Sequence, residues 1–204
     1  MGSQWRSILA LLFVYRCVMT VLAETFVVGF TSLGDFGGFG ANHDLEITGS
    51  WFLVPEAIVA NIAVLLSRVL FGNAMLVSLV FQALAFYGLY RLLSALEPWY
   101  RTRLLPLLFL PSFALWSSIT GKEAILVFAL GIVSAYLIDV HHGRERLRLP
   151  DLLGAFLLMV FKPHYGAALL YFFGVSISAR YIQPRAFVGF MLGALSLLPL
   201  YFYY

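Results

Sequence analysis

Two lysines interrupt long apolar runs of this sequence, and they are the first indication of chemistry. Eleven of the 13 basic residues are arginines; the two lysines are Lys122, which follows the hydroxyl-rich stretch Ser117–Gly121, and Lys162, which precedes Pro163 and His164. A charge placed among membrane helices is costly and is usually paired or functional. An ammonium group binds phosphate as a point charge, and a protonated histidine can do the same. The pattern predicts that Lys122, Lys162 and His164 bind an anionic group.

A second candidate is the acidic, glycine-rich loop Gly34–Gly40, which carries Asp35. Glycines let the backbone turn tightly and approach a ligand. An aspartate held there could act as a general base for a hydroxyl acceptor, or as a metal ligand. The plainer alternative is a solvated loop with an incidental acid, because glycine-rich turns are common. Asp44 and Glu46 lie nearby in the sequence. These carboxylates could bind a divalent cation, but their spacing matches no known set of metal ligands.

Each lysine also has a structural interpretation. Thr120 followed three residues later by Glu123 matches a capping box that would begin a helix. A helix start also presents free N–H groups to an anion, so capping and ligand binding can hold together. Lys162 could simply extend its ammonium to the membrane interface. The predicted substrate-binding residues are therefore Lys122, Glu123, Lys162, His164 and Asp44, with Asp35 as the catalytic residue and no metal ligand.

The composition sets the class of protein that must position these residues. The chain has 204 residues, of which 62% are hydrophobic and 11% charged, a balance that soluble domains do not need. Its apolar runs are continuous rather than alternating, which favours helices over a barrel. We therefore predict an all-α, polytopic transmembrane helix bundle within a single domain, 1–204. The net charge of +3 comes from scattered residues rather than a solvated stripe, so we expect no nucleic-acid partner.

Charge placement predicts the topology. The stretch 17–67 contains no lysine or arginine, so its acidic loop is expected outside and the N-terminus in the cytoplasm. Within the outer segment 31–72, Pro55–Gly72 has the spacing of an amphipathic interfacial helix, with Asn61, Ala63 and Arg68 on its more polar face, and a spanning helix is the alternative. About seven crossings are expected beside that interfacial helix: 7–30, 73–93, 104–116 with a possible kink at Pro111, 124–140, 151–161, 165–179 and 186–204. The alternative to the fifth and sixth is one proline-kinked helix over 151–179.

Arg16 and Glu24 lie within the first predicted crossing, eight residues apart. That spacing puts them roughly on one face of a helix. They could form buried contacts with other helices or extend toward the two interfaces, and for Glu24 we favour the nearby outer interface.

The chain resembles bacterial polytopic proteins of the GT-C glycosyltransferase type, including membrane proteins of polysaccharide gene clusters. The resemblance rests on Pro111–Glu123, with its Pro-Ser, Trp-Ser-Ser and Lys-Glu elements, and on Phe161–Tyr165. Asp35 in the first outer loop and the segment Pro55–Gly72 occupy further family positions. The resemblance implies a polyprenyl-phosphate-linked sugar as donor, a site on the outer face, Asp35 as base, and Lys122, Lys162 and His164 on the donor phosphate.

Three functions follow. The leading one is a membrane glycosyltransferase or polymerase-like protein that acts on a lipid-linked sugar. The alternative is a non-catalytic accessory subunit of a larger membrane complex, favoured by the short chain and by small residues suited to helix contact, such as Gly131 and Ser134. A transporter ranks last, because no paired helix interruptions mark two halves.

Overall fold

A computed structural model describes residues 3–28, 55–117, 120–143, 147–162, 164–165, 168 and 171. The chain divides into two compact units, Met1–Lys162 and Pro163–Tyr204. All elements below belong to the first unit. In the second, the described residues are helical, and His164 is exposed with its ring edge-on to Tyr165 at 4.5 Å between centroids.

The described part of the first unit consists of helices and the short turns between them. Its elements are α1 (Ser3–Leu22), a π-helical turn (Ala23–Val28), α2 (Pro55–Val69), α3 (Ala74–Ala95), α4 (Pro98–Leu108), α5 (Pro111–Trp116), α6 (Lys122–His141) and α7 (Leu149–Phe161). Among the described residues, three segments are long and apolar enough to cross a membrane: Gln4–Phe26, Ala74–Ala95 and Lys122–His141. The prediction of an all-helical fold is confirmed for the described residues, and these three segments support the prediction of a membrane protein.

Contacts along α1, α3, α6 and α7 establish the directions of these helices. Leu9 at the start of α1 shares an apolar cluster with Leu93 at the end of α3, while Glu24 meets Ser78 at the start of α3. The helix α1 therefore runs antiparallel to α3. The helix α6 runs parallel to α3, because Ser78 lies 2.6 Å from Thr120, just before α6 begins, and the middles of the two helices also touch.

The helix α7 returns alongside α6, from the end of α3 back toward its start. Asp151 in the first turn of α7 pairs with Arg91 near the end of α3. The bundle therefore has two ends with different basic residues. We call them the arginine end, which holds Arg91, Arg101, Arg103 and Arg148, and the lysine end, which holds Lys122 and Lys162 and lies near Arg68 in the last turn of α2.

Two glycines let α3 and α6 approach to backbone contact. A Cβ added to Gly88 would lie 2.5 Å from Phe128 Cα, and one added to Gly131 would lie 2.4 Å from the Gly88 carbonyl carbon. Small residues at a crossing are a common way for membrane helices to pack, because no hydrophobic effect drives them together in lipid. These glycines set the spacing of the two central helices.

The segment predicted to cross at 104–116 is built differently from the prediction. The helix begins earlier, at Pro98, and stops at Leu108; Phe109 and Leu110 break it, and α5 starts at Pro111. Proline has no N–H and favours the first turn of a helix, so a new helix starts where only a kink was expected. The two short helices pack beside α1, because Tyr15 of α1 donates to the Phe109 carbonyl between them at 2.9 Å.

The helix α2 corresponds to the predicted interfacial segment, but its polar face is not where the sequence placed it. Asn61 and Ala63 were assigned to the polar side, yet each is only 1% exposed, whereas Arg68 is exposed. A buried amide is tolerated when it has a partner, and Asn61 does make polar contacts. Its packing inside the unit, rather than contact with the interface, explains the difference.

An ion pair ties α3 to α7 at the arginine end. Asp151 is 3% exposed, lies 3.7 Å from Arg91 Nη2, and accepts from the Arg148 backbone N–H at 2.8 Å. By contrast, the pair of Glu97 and His142 at the same end, 3.5 Å apart, is largely exposed.

We expect Asp151→Asn to lower the free energy of unfolding by about 2–4 kcal/mol, since the change leaves Arg91 without its charged partner in a mostly buried setting. Glu97→Gln is the matched control and should cost less than about 0.5 kcal/mol, because exposed pairs contribute little. Reversible unfolding in mixed micelles measures both. Equal losses in the two variants would contradict the role of the buried pair.

Candidate functional site

The structure places three of the predicted binding residues in the first unit. Lys122 is the first residue of α6, and its side chain is half-buried, as is that of Glu123. Lys162 directly follows α7 and is also half-buried; its φ and ψ of −147° and 76° lie outside the helical region. The helix thus ends at Phe161.

Antiparallel packing of α6 and α7 brings Lys122 and Lys162 to the same end of the unit. A Cβ on Gly154 of α7 would lie 3.1 Å from the Ile132 side chain at the middle of α6. The end of α7 and the start of α6 lie about equally far beyond this contact. Asp35 and Asp44 lie outside the described residues, and His164 belongs to the second unit.

Beneath the lysine end lie two groups of contacting polar side chains, which together we call the polar seam. One group consists of Arg16 of the first span, Gln82 of α3 and Ser117 beside α5; the other consists of Glu24 of the first span, Ser78 of α3 and Thr120 beside α6. Arg16, Glu24 and the hydroxyl-rich stretch were visible separately in the sequence, but Ser78 and Gln82 were not predicted. The available signal was their spacing of four residues, which puts both on one face of α3.

Arg16 is the centre of the seam, and it is fully buried. Its Nε donates to Gln82 Oε1 at 3.1 Å, and its Nη2 donates to Ser117 Oγ at 2.7 Å and to the Ser117 carbonyl at 3.3 Å. Its guanidinium carbon lies 5.4 Å from the centre of the Phe113 ring. Arg16 thus makes buried contacts with neighbouring helices, the first of the two interpretations that the sequence left open.

All the hydrogen-bond acceptors that the described residues offer Arg16 are neutral. Within this part of the chain, Nη1 is buried and makes no hydrogen bond. The positive charge is stabilised instead by dipoles: Ser117 is the residue that ends α5, and the free carbonyls at a helix C-terminus favour a cation. The contact with Phe113 adds a cation–π attraction. An arginine held this way links α1 to α5 and α3.

The part of the seam nearer the lysine end is built around the hydroxyl groups of Ser78 and Thr120. Ser78 donates to Glu24 Oε1 and lies 2.6 Å from Thr120 Oγ1. The Thr120 backbone N–H also donates to Ser78 Oγ at 3.3 Å. One serine of α3 therefore joins the first span to the residues that precede α6. Glu24 is half-buried and contacts Ser78, whereas the sequence favoured a side chain that extends toward the outer interface.

The predicted capping box at the start of α6 is wrong. The N-cap is Gly121, with extended φ and ψ of −178° and 177°, and no side chain caps the helix. Thr120 is 3% exposed and uses its hydroxyl on Ser78 instead. Buried hydroxyls need partners, and Thr120 finds its partner in a neighbouring helix instead of in the first turn of α6.

The described residues contain no group of three or more histidine, cysteine, aspartate or glutamate side chains that could hold a metal ion. The acidic loop, in which a divalent cation was left open, lies outside them. The chemistry available in the described part is therefore that of cations and hydroxyls: two lysines at one end, with a buried arginine and hydrogen-bonded hydroxyl groups beneath.

Comparison of the chain with protein-family models, with curated proteins and with solved structures finds no match. The assignment of a function therefore depends on the residues and their geometry.

Proposed function

We propose that this chain is a GT-C-type membrane glycosyltransferase that uses a polyprenyl-phosphate-linked sugar. In this proposal the lysine end faces the outside of a bacterial inner membrane, and the arginine end faces the cytoplasm. The positive-inside rule supports that orientation, because Arg91, Arg101, Arg103 and Arg148 share one end. The proposal includes about seven crossings and an interfacial α2.

The observation that carries the proposal is the placement of Lys122 and Lys162 at one end of the same unit. Lysines are otherwise missing from this sequence. Two ammonium groups at one end suit a ligand with concentrated negative charge, such as a phosphate. The start of α6 at Lys122 adds backbone N–H groups and the positive end of a helix dipole.

The reaction assigns a different role to each class of residue. Asp35 accepts the proton of the acceptor hydroxyl, whose oxygen attacks the anomeric carbon of the sugar. The bond between that carbon and the phosphate oxygen breaks, and the phosphate leaves with the electron pair. Lys122 and Lys162 stabilise the negative charge that develops on the departing phosphate. Glu123 and Asp44 contact the polar parts of the substrate.

The test is a transfer assay in proteoliposomes with a panel of polyprenyl-phosphate-linked sugars. Asp35→Asn should lower kcat by about 100-fold or more, which is typical for loss of a general base. Lys122→Ala should lower kcat/KM by about tenfold or more, since one charged contact to the phosphate is lost.

Glu97→Gln is the control, because this exposed residue lies at the arginine end and pairs only with His142 among the described residues. It should leave transfer unchanged. Unchanged turnover in both Asp35→Asn and Lys122→Ala would refute the proposal. Stoichiometric purification within a larger membrane complex that tolerates Asp35→Asn would instead support an accessory subunit.

A further inference from the structure

The connection between α5 and α6 leads directly to Lys122, and the polar seam holds it at two points. Arg16 from α1 binds both the side chain and the carbonyl of Ser117, at 2.7 and 3.3 Å. Ser78 from α3 binds both the side chain and the N–H of Thr120, at 2.6 and 3.3 Å. Each anchor therefore fixes a backbone group as well as a hydroxyl, which restrains the path of the chain.

Of the two helix ends that these anchors hold, only the end of α5 has a local side-chain contact among the described residues, from Ser117 Oγ to the Phe113 carbonyl. The helix α6 begins after Gly121 without a side-chain cap, and α5 is only six residues long. A helix this short is unstable by itself. Its C-terminal carbonyls need partners, and Arg16 provides one from another helix. The position of Lys122 thus depends on contacts distant in sequence rather than on local helix propensity.

Arg16 makes a costly contribution to this arrangement. A guanidinium buried at the middle of an apolar span is expensive, and this one has a donor, Nη1, without a hydrogen-bond partner among the described residues. A neutral side chain could fill the same volume at lower cost if packing were its only role. What the arginine adds is a rigid fork, which bonds Gln82 and Ser117 at once.

We propose that Arg16 is a positioning residue for Lys122. By capping α5 and holding Ser117, it keeps the start of α6 in one arrangement, so that the Lys122 ammonium meets the donor phosphate. The inference rests on the proposed function for its purpose. Its structural part, that Arg16 orders position 122, can be tested separately.

The first measurement is the mobility of a nitroxide attached at position 122, recorded by electron paramagnetic resonance. The parent is the Cys17→Ser, Lys122→Cys protein, since Cys17 is the chain's one cysteine. Arg16→Gln in this parent should give a clearly more mobile spectrum. Thr20→Val is the matched control: Thr20 is buried one turn further along α1 and bonds the Arg16 carbonyl, 2.9 Å away, so its loss should leave the spectrum unchanged.

The second measurement is a double-mutant cycle on lipid binding in nanodiscs, with polyprenyl phosphate and the matching polyprenol as probes. Arg16→Gln should weaken binding of the phosphate about tenfold when Lys122 is present, and have almost no further effect in Lys122→Ala, because coupled residues do not act additively. Binding of polyprenol should not change. A general structural defect would instead weaken both lipids in both backgrounds.

The two measurements separate the two proposals. If the wild-type protein binds polyprenol and polyprenyl phosphate equally, the proposed phosphate site fails, while the spectrum at position 122 still decides the role of Arg16. An unchanged spectrum in folded Arg16→Gln, or equal losses with and without Lys122, overturns the inference. Should Arg16→Gln fail to fold, Ser117→Ala replaces it with the same expected changes, because it removes the shortest bond that Arg16 makes with the connection.

Discussion

Gly131→Ala should separate α3 from α6 and lower the free energy of unfolding by more than about 3 kcal/mol. The added methyl would lie 2.4 Å from the carbonyl carbon and oxygen of Gly88. Neither atom belongs to a side chain that can rotate away, so the helices themselves must move apart. Overpacking usually costs about 1–3 kcal/mol of unfolding free energy. Because two backbones are in contact here, we expect a loss at or above the upper end of that range. Reversible unfolding in mixed micelles, followed by tryptophan fluorescence, measures the loss.

Gly154→Ala on α7 is the control for this substitution. The nearest atom to its new methyl would be Ile132 Cγ2 at 3.1 Å, and a side chain can shift by a few tenths of an ångström. Alanine also gains about 1 kcal/mol of helix propensity over glycine. We expect a change within about 1 kcal/mol of zero. Equal losses for Gly131→Ala and Gly154→Ala would show that the α3–α6 contact is not specially tight.

The sequence predicted the long helices well because their signal is local. α1, α3 and α6 are each an apolar run long enough to cross a bilayer, and such runs need no knowledge of their neighbours. The helices α3 and α6 end together at the arginine end, and the side of the membrane that this end faces stays a prediction from arginine placement. These features follow from composition along the chain, which a single sequence displays.

Features that depend on pairs of helices were missed. The residues around Thr120 predicted that it caps a helix, but its hydroxyl instead contacts Ser78, which lies 42 residues away in the sequence. Asn61 looked like an interfacial residue, yet it is buried in the unit. Local patterns describe the choices open to a polar group, while tertiary contacts decide among them. The same limit applied to Gly88, whose partner Phe128 cannot be read from spacing.

The candidate site was predictable in part for the same reason. A lysine within an apolar run is visible in any single sequence, so Lys122 and Lys162 could be selected at once. The seam beneath them could not, because Gln82 and Ser117 are ordinary residues until Arg16 is known to reach both. An arginine within an apolar span should therefore prompt a search for amides and hydroxyls at similar depth in other spans. Gln82 is the residue that such a search would find in α3.

Gln82→Leu should cost about 2–4 kcal/mol of unfolding free energy, because a buried charged donor loses a neutral acceptor. This loss should exceed that of removing Gln82 and the Arg16 charge together. Leucine has nearly the same size, but it leaves Arg16 Nε without its acceptor while the charge stays buried. Breaking a buried polar contact from one side is strongly destabilising for this reason. In the double variant Arg16→Met, Gln82→Leu, no uncompensated charge remains, so the loss should be smaller than for Gln82→Leu alone.

Gln82→Glu is the matched control for this comparison, because it keeps an acceptor beside Arg16 and adds a compensating charge. We expect its stability to be at or above the wild-type value, since hydrogen bonds to charged groups are the stronger ones. Unfolding of the wild type, Arg16→Met, Gln82→Leu and the double variant under one set of conditions gives the coupling energy between the two positions. Additive losses, with Gln82→Leu below about 1 kcal/mol, would mean that Arg16 does not need its neutral acceptors. The polar seam would then be a consequence of packing, and the role of Arg16 in placing Lys122 would lose its physical basis.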